Sequence, residues 1–314
     1  MSRETGSKTW ATTSADGPAA VGSFEEGLPV RLIATLRSEF KTCGPDEELE
    51  VVAARNQEGF DYLPVVERER IIGLLKLVDR ADGSGLVRHK MDPLSEANLI
   101  GADASLLTFV RGADEHGCRL VVSGERIFGL VSLSDLQRLP VRAALFGMVT
   151  HLESEMMKAI QREFSYSDEW IQRLPPGRQT KINEEVQKAK SEDVFVDRLL
   201  FTQFIDKVII IRKSPSFLFS GDTFEDDLRQ VQSLRDKVAH ANDYATTEET
   251  ATQVCKTVRL MDHWIAELAD WRGPYALSGA SGGKWGSRGG LASGVTCLSR
   301  TGFQTYANSD TLPR

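Results

Sequence analysis

The chain has 314 residues, with 38 Lys+Arg against 45 Asp+Glu, a formal net charge of −7 and a pI of about 5.4. Its length suits about two domains plus extensions, and its 41% hydrophobic and 26% charged fractions are those of an ordinary globular protein. The longest apolar run, Val208–Ile211, is far short of the ~18 residues a membrane span needs, and the acidity excludes broad coating of nucleic acid while leaving room for a local basic site.

Residues 1–26 are polar and rich in Gly, Ser, Thr and Ala. They read as a disordered extension without the apolar segment of a secretory signal. The four cysteines, Cys43, Cys118, Cys255 and Cys297, form no CxxC pair. That argues against a zinc site and a disulfide framework, and fits a reducing cytoplasm.

From residue 27 to 140 the dominant signal is a 56-residue internal repeat. The stretch Asp61–Asp79 aligns without a gap on Gly117–Asp135: Val65-Val66 on Val121-Val122, Glu69-Arg70-Ile71 on Glu125-Arg126-Ile127, Gly73 on Gly129. Each copy reads as strand, tight turn, strand and then helix, because its apolar runs are short and rich in Val and Ile. Amphipathic helices are expected upstream, over Asp46–Glu58 and Asp103–Glu115. The second strand of each copy enters its helix through Gly73-Leu-Leu-Lys76-Leu-Val-Asp79 and Gly129-Leu-Val-Ser132-Leu-Ser-Asp135. Glycine admits a ligand to the backbone, a hydroxyl at a helix entrance meets phosphate, and a carboxylate accepts ribose hydroxyls. The aspartates are equally suited to cap their helices with no ligand at all.

This pattern resembles the cystathionine-β-synthase (CBS) domain pair. The resemblance implies an α+β tandem regulatory module that takes an adenine nucleotide such as AMP or ATP between its repeats. On that basis Ser132 would contact phosphate and Asp135 ribose. In the first copy Asp79 would keep the ribose role, while Lys76 replaces the hydroxyl as a point charge for phosphate.

From residue 141 to 272 the periodicity turns helical and predicts four or five helices. Leu145, Met148, Leu152, Met156 and Ile160 share one stripe, broken at Leu174-Pro-Pro-Gly177. Val194–Arg212 reads as a second helix. A third follows the capping-box signal Asp222-Thr-Phe-Glu225, and a fourth follows Thr246-Thr-Glu-Glu249. Residues 273–314 are glycine-rich and read as a disordered tail.

Within the third helix, Arg235-Asp236-Lys237-Val238-Ala239-His240 is the candidate catalytic segment. The same Arg-to-His spacing occurs at Arg111–His116, where an ordinary surface pair explains it. Arg235 through His240, flanked by long amphipathic helices, resembles the HEPN (higher eukaryotes and prokaryotes nucleotide-binding) superfamily. That resemblance implies an all-α helical-bundle domain and, in active members, a metal-independent ribonuclease working as a homodimer on RNA. Histidine would move the 2′-hydroxyl proton, arginine would neutralise the phosphorane, and Asp236 would orient either one. Five residues on a straight helix diverge by about 140°, so convergence needs a helix end or a second subunit. Arg229, Lys237, Lys256 and Arg259 are candidate sources of local positive charge.

Two functions from different classes follow. One is an endoribonuclease governed by nucleotide binding to the repeat. The other is a nonenzymatic nucleotide sensor whose helical domain dimerises or recruits a partner, with Arg235 and His240 serving only to tie helices together.

Overall fold

The computed structural model describes residues 27–77, 84–192, 197–214, 216–217, 223–240 and 242–273. The extension 1–26, the tail beyond 273, and Asp79, Val194, Asp222 and Cys297 lie outside the described residues. Strand β1 (Thr35–Leu36) precedes helix α1 (Leu49–Arg55), the hairpin β2 (Tyr62–Glu67) and β3 (Arg70–Lys76), and β4 (Asp92–Pro93). Then come β5 (Leu99–Gly101), helix α2 (Leu106–Gly112) and the hairpin β6 (Cys118–Ser123) and β7 (Arg126–Ser132). Five α-helices follow among the described residues: α3 (Leu139–Glu163), α4 (Pro176–Ser191), α5 (Phe204–Arg212), α6 (Thr223–Ala239) and α7 (Glu248–Asp270).

The repeat survives at the level of register. Val65 faces Gly73 and Val66 faces Ile71, with a bulge between; Val121 faces Gly129 and Val122 faces Ile127, with the same bulge. A bulge adds local twist, so both hairpins twist at the same point. The connections are crossed. β1, which precedes the first copy, pairs with β7 of the second, giving the order β1-β7-β6-β5, while β4 closes the sheet β2-β3-β4.

Both upstream helices are shorter than their apolar periodicity suggests. Before α1 the chain is already paired: Leu49 N–H donates to Gly85 O and Val87 N–H to Glu47 O. Before α2, Val30 N–H donates to Ala104 O and Leu106 N–H to Leu28 O. Extended pairing therefore takes the residues that would have made the first helical turn. After β7 the chain enters a 3-10 turn, Leu133–Gln137, and Pro140, which needs no amide partner, sits in the first turn of α3.

The helical half contains five α-helices among the described residues. Its first break comes at Ser165 and Tyr166, both at positive φ, not at Leu174-Pro-Pro-Gly177. Pro176 instead opens α4 at its first position, where the missing N–H costs nothing. The expected helix 194–212 is divided, because a 3-10 turn at Arg198–Phe201 precedes α5. The cap of α7 is one residue later than the sequence signal. Thr247 Oγ1 accepts from Thr250 N (3.2 Å), and Thr250 Oγ1 accepts from Thr247 N (2.9 Å), so two hydroxyls do the work expected of Thr246 and Glu249.

One apolar core runs from Val30 through the second repeat (Phe109, Val121, Leu136) into Leu152, Val231 and Leu268 of the helical half. The first repeat keeps a small core of its own, including Val52, Val65 and Leu75. Trp264 is buried edge-on against Phe224, with ring centroids 4.8 Å apart. It is a packing residue.

Two ion pairs fasten the end of α2 and the turn after it to α7. Arg111 grips Asp262 with Nε–Oδ2 at 2.7 Å and Nη2–Oδ1 at 2.9 Å, while Arg259 grips Asp114 at 2.9 and 2.7 Å. The spacing match at Arg111–His116 is thus explained by an interface, and Arg259 is committed to a carboxylate. The hydrogen-bonded Arg259 guanidinium holds the Asp114 carboxyl below the usual carboxylate range. A depressed folded pKa gives stability that is present above the unfolded carboxylate pKa and lost as pH falls through the folded one. Arg259→Ala should cost about 1 kcal/mol at neutral pH, the half-exposed arginine being screened by solvent. The cost should shrink on acidification below that range. Urea denaturation of both proteins at several pH values measures this; a pH-independent difference would remove Asp114 from the account.

The candidate ligand cleft and the Arg235–His240 segment

β3 and β7 are the equivalent strands of the two copies and end in Lys76 and Ser132. Both line one cavity of about 310 Å³, together with Tyr62, Ser134, Gln137 and the segment Ala245–Glu248 that starts α7. The wall is therefore built from both repeats and from the helical half. That volume lies at the low end of the ~300–1,000 Å³ range of ligand sites. Tyr62, Lys76 and Gly117 also line a second cavity of about 550 Å³, with Ser95, Asn98 and His116. Tyr62 lies hard against Gly117: a Cβ there would stand 2.4 Å from the phenol oxygen. Burial, above all, pushes the Tyr62 phenol above its ordinary pKa, so it remains a neutral donor.

The ligand residues expected from the sequence separate into two groups. Lys76 and Ser132 come together at the cavity. Asp135 does not line it. Its side chain is almost wholly buried; Oδ2 accepts from Ser132 N at 2.7 Å, and Oδ1 pairs with Arg138 Nε at 2.7 Å. This is the helix-capping use of the residue. Burial raises the Asp135 pKa, against the opposing pull of the Ser132 amide and Arg138. Asp79 is outside the described residues.

The repeat glycines also serve a purpose other than the expected approach of a ligand. A Cβ on Gly73 would stand 2.4 Å from Asp92 O, and one on Gly129 2.5 Å from Thr35 O. What approaches these backbones is the neighbouring strand, β4 in one copy and β1 in the other.

In the helical half, Arg235 lies on α6 with its guanidinium turned to acids: Nε donates to Glu153 Oε1 of α3 (3.2 Å) and Nη1 to Asp236 Oδ1 (3.3 Å). Glu153 also stands 3.9 Å from the Nζ of buried Lys207. His240 is the first residue after α6 and is exposed. Its amide still donates to Asp236 O at 3.1 Å. So Asp236 is brought to Arg235, while the His240 ring makes no hydrogen bond or ion pair with a described residue. Arg229 is paired with Glu225 and Asp226, which reduces the local positive charge expected of it.

Three residues, Arg142, Tyr244 and Gln137, join the cleft to this segment. Arg142 of α3 donates to the carbonyls of Lys237, Val238 and Asn242 at 3.0–3.3 Å, closing the end of α6, and lies 5.0 Å over the Tyr244 ring. Tyr244 Oη donates to Leu136 O at 2.6 Å. The Gln137 amide oxygen, in the orientation its surroundings require, accepts from the amides of Tyr244 (2.9 Å), Ala245 (2.6 Å) and Thr246 (3.3 Å). No local periodicity or motif could have announced these bonds, which span about a hundred residues of sequence.

No family model matches the chain. No curated protein matches it. Among solved structures, its first third is similar to the CBS domain of a bacterial CNNM/CorC family Mg2+ transporter in complex with ATP. The two are 20% identical with a TM-score of 0.32, over 38% of this chain and 90% of that one. CBSX2 in complex with AMP is 18% identical with a TM-score of 0.30, over 38% and 97% of the two chains. A hemolysin-like protein containing a CBS domain, from Oenococcus oeni PSU, is 15% identical with a TM-score of 0.31, over 36% and 91%. Among the described residues, no helix is long and apolar enough to cross a membrane.

Proposed function

We propose that this chain is a nucleotide-responsive regulatory protein: residues 27–140 hold an adenine nucleotide between their repeats, and residues 141–272 carry the response. The observation behind this reading is the cavity wall, in which Lys76 and Ser132 from the two copies meet the first turn of α7. Lys76 supplies a cation for phosphate, Ser132 and Ser134 supply hydroxyls, and Tyr62 offers an aromatic face to a base. Gln137, which also lines the cavity, grips the segment that leads back to His240. Calorimetry of the full chain with AMP and ATP tests the site. Lys76→Met and Ser132→Ala should each weaken binding about tenfold, as expected for losing a charged or neutral phosphate contact. Binding that both variants leave intact would place the ligand elsewhere.

A second reading, a metal-independent endoribonuclease acting as a homodimer on RNA, is favoured by one observation: His240 stands exposed at the helix end that follows Arg235 and Asp236. On this reading Arg235 must exchange Glu153 for the scissile phosphate. RNA cleavage in EDTA, with and without AMP, should then vanish in both His240→Ala and Arg235→Ala. If wild type and variants behave alike, the helical half is a scaffold and the sensor reading stands by itself.

A further inference from the structure

We propose that Glu248, from the helical half, is the residue that reads the ribose in the cleft, and that the site selects a nucleoside monophosphate over a triphosphate. The proposal rests on the nucleotide reading above and adds to it a ligand charge and a contact outside the repeat. The carboxylate at the repeat's own motif position, Asp135, is consumed by the Ser132 amide and Arg138, and it is absent from the cavity wall. Among the described residues, the carboxylates that line the cavity are Asp61 and Glu248. Both act on the Tyr62 phenol, Glu248 the more strongly, while Lys76 acts on it in the opposite sense. Three charged groups thus converge beside one aromatic ring.

Asp61 belongs to the first repeat and adjoins Tyr62, which faces Lys76 across the β2–β3 ladder. Glu248 comes from a different element, the first turn of α7, and its carboxylate makes no hydrogen bond or ion pair with a described residue. Among the described lining residues it is the carboxylate that the helical half contributes, and it can accept from a cis-diol. Among the described lining residues the cavity therefore carries one ammonium and two carboxylates, a net charge of −1. A single phosphate can be matched to Lys76. Each further phosphate charge would meet Asp61 or Glu248 at short range, where like charges repel by about 1 kcal/mol or more even in high dielectric.

The test is calorimetry of the full chain in EDTA with AMP, 2′-deoxy-AMP and ATP, for wild type, Glu248→Gln and Glu249→Gln. Glu249 shares the helix turn and does not line the cavity, so it controls for helix stability. Wild type should bind AMP at least tenfold more tightly than ATP, and 2′-deoxy-AMP at least fivefold less tightly than AMP. Glu248→Gln should lower the AMP-to-ATP preference at least fivefold and abolish the dependence on the 2′-hydroxyl, whereas Glu249→Gln should preserve both. ATP binding as tight as AMP, or a preference unchanged in Glu248→Gln, overturns this proposal and leaves the nucleotide reading in place. No binding of any nucleotide by wild type overturns both.

Discussion

Asp206→Ala is expected to cost about 3–5 kcal/mol, the range for breaking a buried ion pair from one side. The Asp206 side chain is 1% exposed. It accepts from Arg178 Nε at 3.0 Å and also from Nη2, and its Oδ2 accepts from Gln203 N at 2.8 Å. One carboxylate thereby joins α4 to α5 and caps the first turn of α5. Truncation leaves the half-buried guanidinium of Arg178 without this carboxylate and the Gln203 amide without its acceptor. It also removes one of the two carboxylates that keep neighbouring Lys207 charged. Burial pulls the Lys207 pKa down, while Glu153 and Asp206 pull it back. Asp206→Asn should lose less, since its amide oxygen can still accept from Gln203. In urea the midpoint should fall at constant m-value for both variants. A loss below 1 kcal/mol for Asp206→Ala would mean that solvent reaches Arg178 and replaces the bond.

The repeat and the stripes were legible because each is written locally. Period-two apolar runs of Val and Ile give the hairpins, and their 56-residue recurrence extends even to the bulge at Val65/Val66 and Val121/Val122. The long helix α7 followed from Val254, Val258, Met261, Ile265 and Leu268, all of them buried except Ile265, which is half-buried. The limits of α1 and α2 were not legible, because pairing with residues 85–87 and 28–30 competes for their first turns. Helix α4 was missed for a related reason: Pro-Pro-Gly was read as an end, yet proline opens a helix as readily as it stops one.

At the candidate site the residue types were easier to find than their assignments. Lys76 and Ser132 reach the cleft, while Asp135, indistinguishable from them by pattern, turns inward to its own cap. The choice was made by Arg138, three residues on, which pairs with Asp135 and also donates to Thr35 Oγ1 at 3.2 Å. Glu248 and Gln137 belong to no repeat motif. They reach the cleft because the second repeat shares its core with the helical half, a fact of tertiary packing that no window of sequence contains.

Gly129→Ala should destabilise the fold by about 1–3 kcal/mol, the usual cost of overpacking, and weaken nucleotide binding as well. The added Cβ would lie 2.5 Å from Thr35 O and 3.1 Å from Ala34 Cβ. Backbone, unlike the end of a flexible side chain, yields only by moving its whole strand. β1 has just two residues on β7, so the expected response is that β1 lifts. Thr35 is held by Arg138, Arg138 pairs with Asp135, and Asp135 caps the turn that begins at Ser132. A shift of β1 is thereby passed along four residues to the cleft. Gly177→Ala is the contrasting case, since nothing lies within 4 Å of a Cβ there and the residue is in α4. Alanine's helix preference should make that change neutral or stabilising by up to about 1 kcal/mol. Denaturation and AMP titration of the two variants separate the explanations. If Gly129→Ala lowers stability but leaves affinity untouched, the Thr35–Arg138–Asp135 chain does not transmit the shift. If Gly177→Ala is equally damaging, glycine is required in this fold for backbone freedom, and the close passage of strands is not the cause.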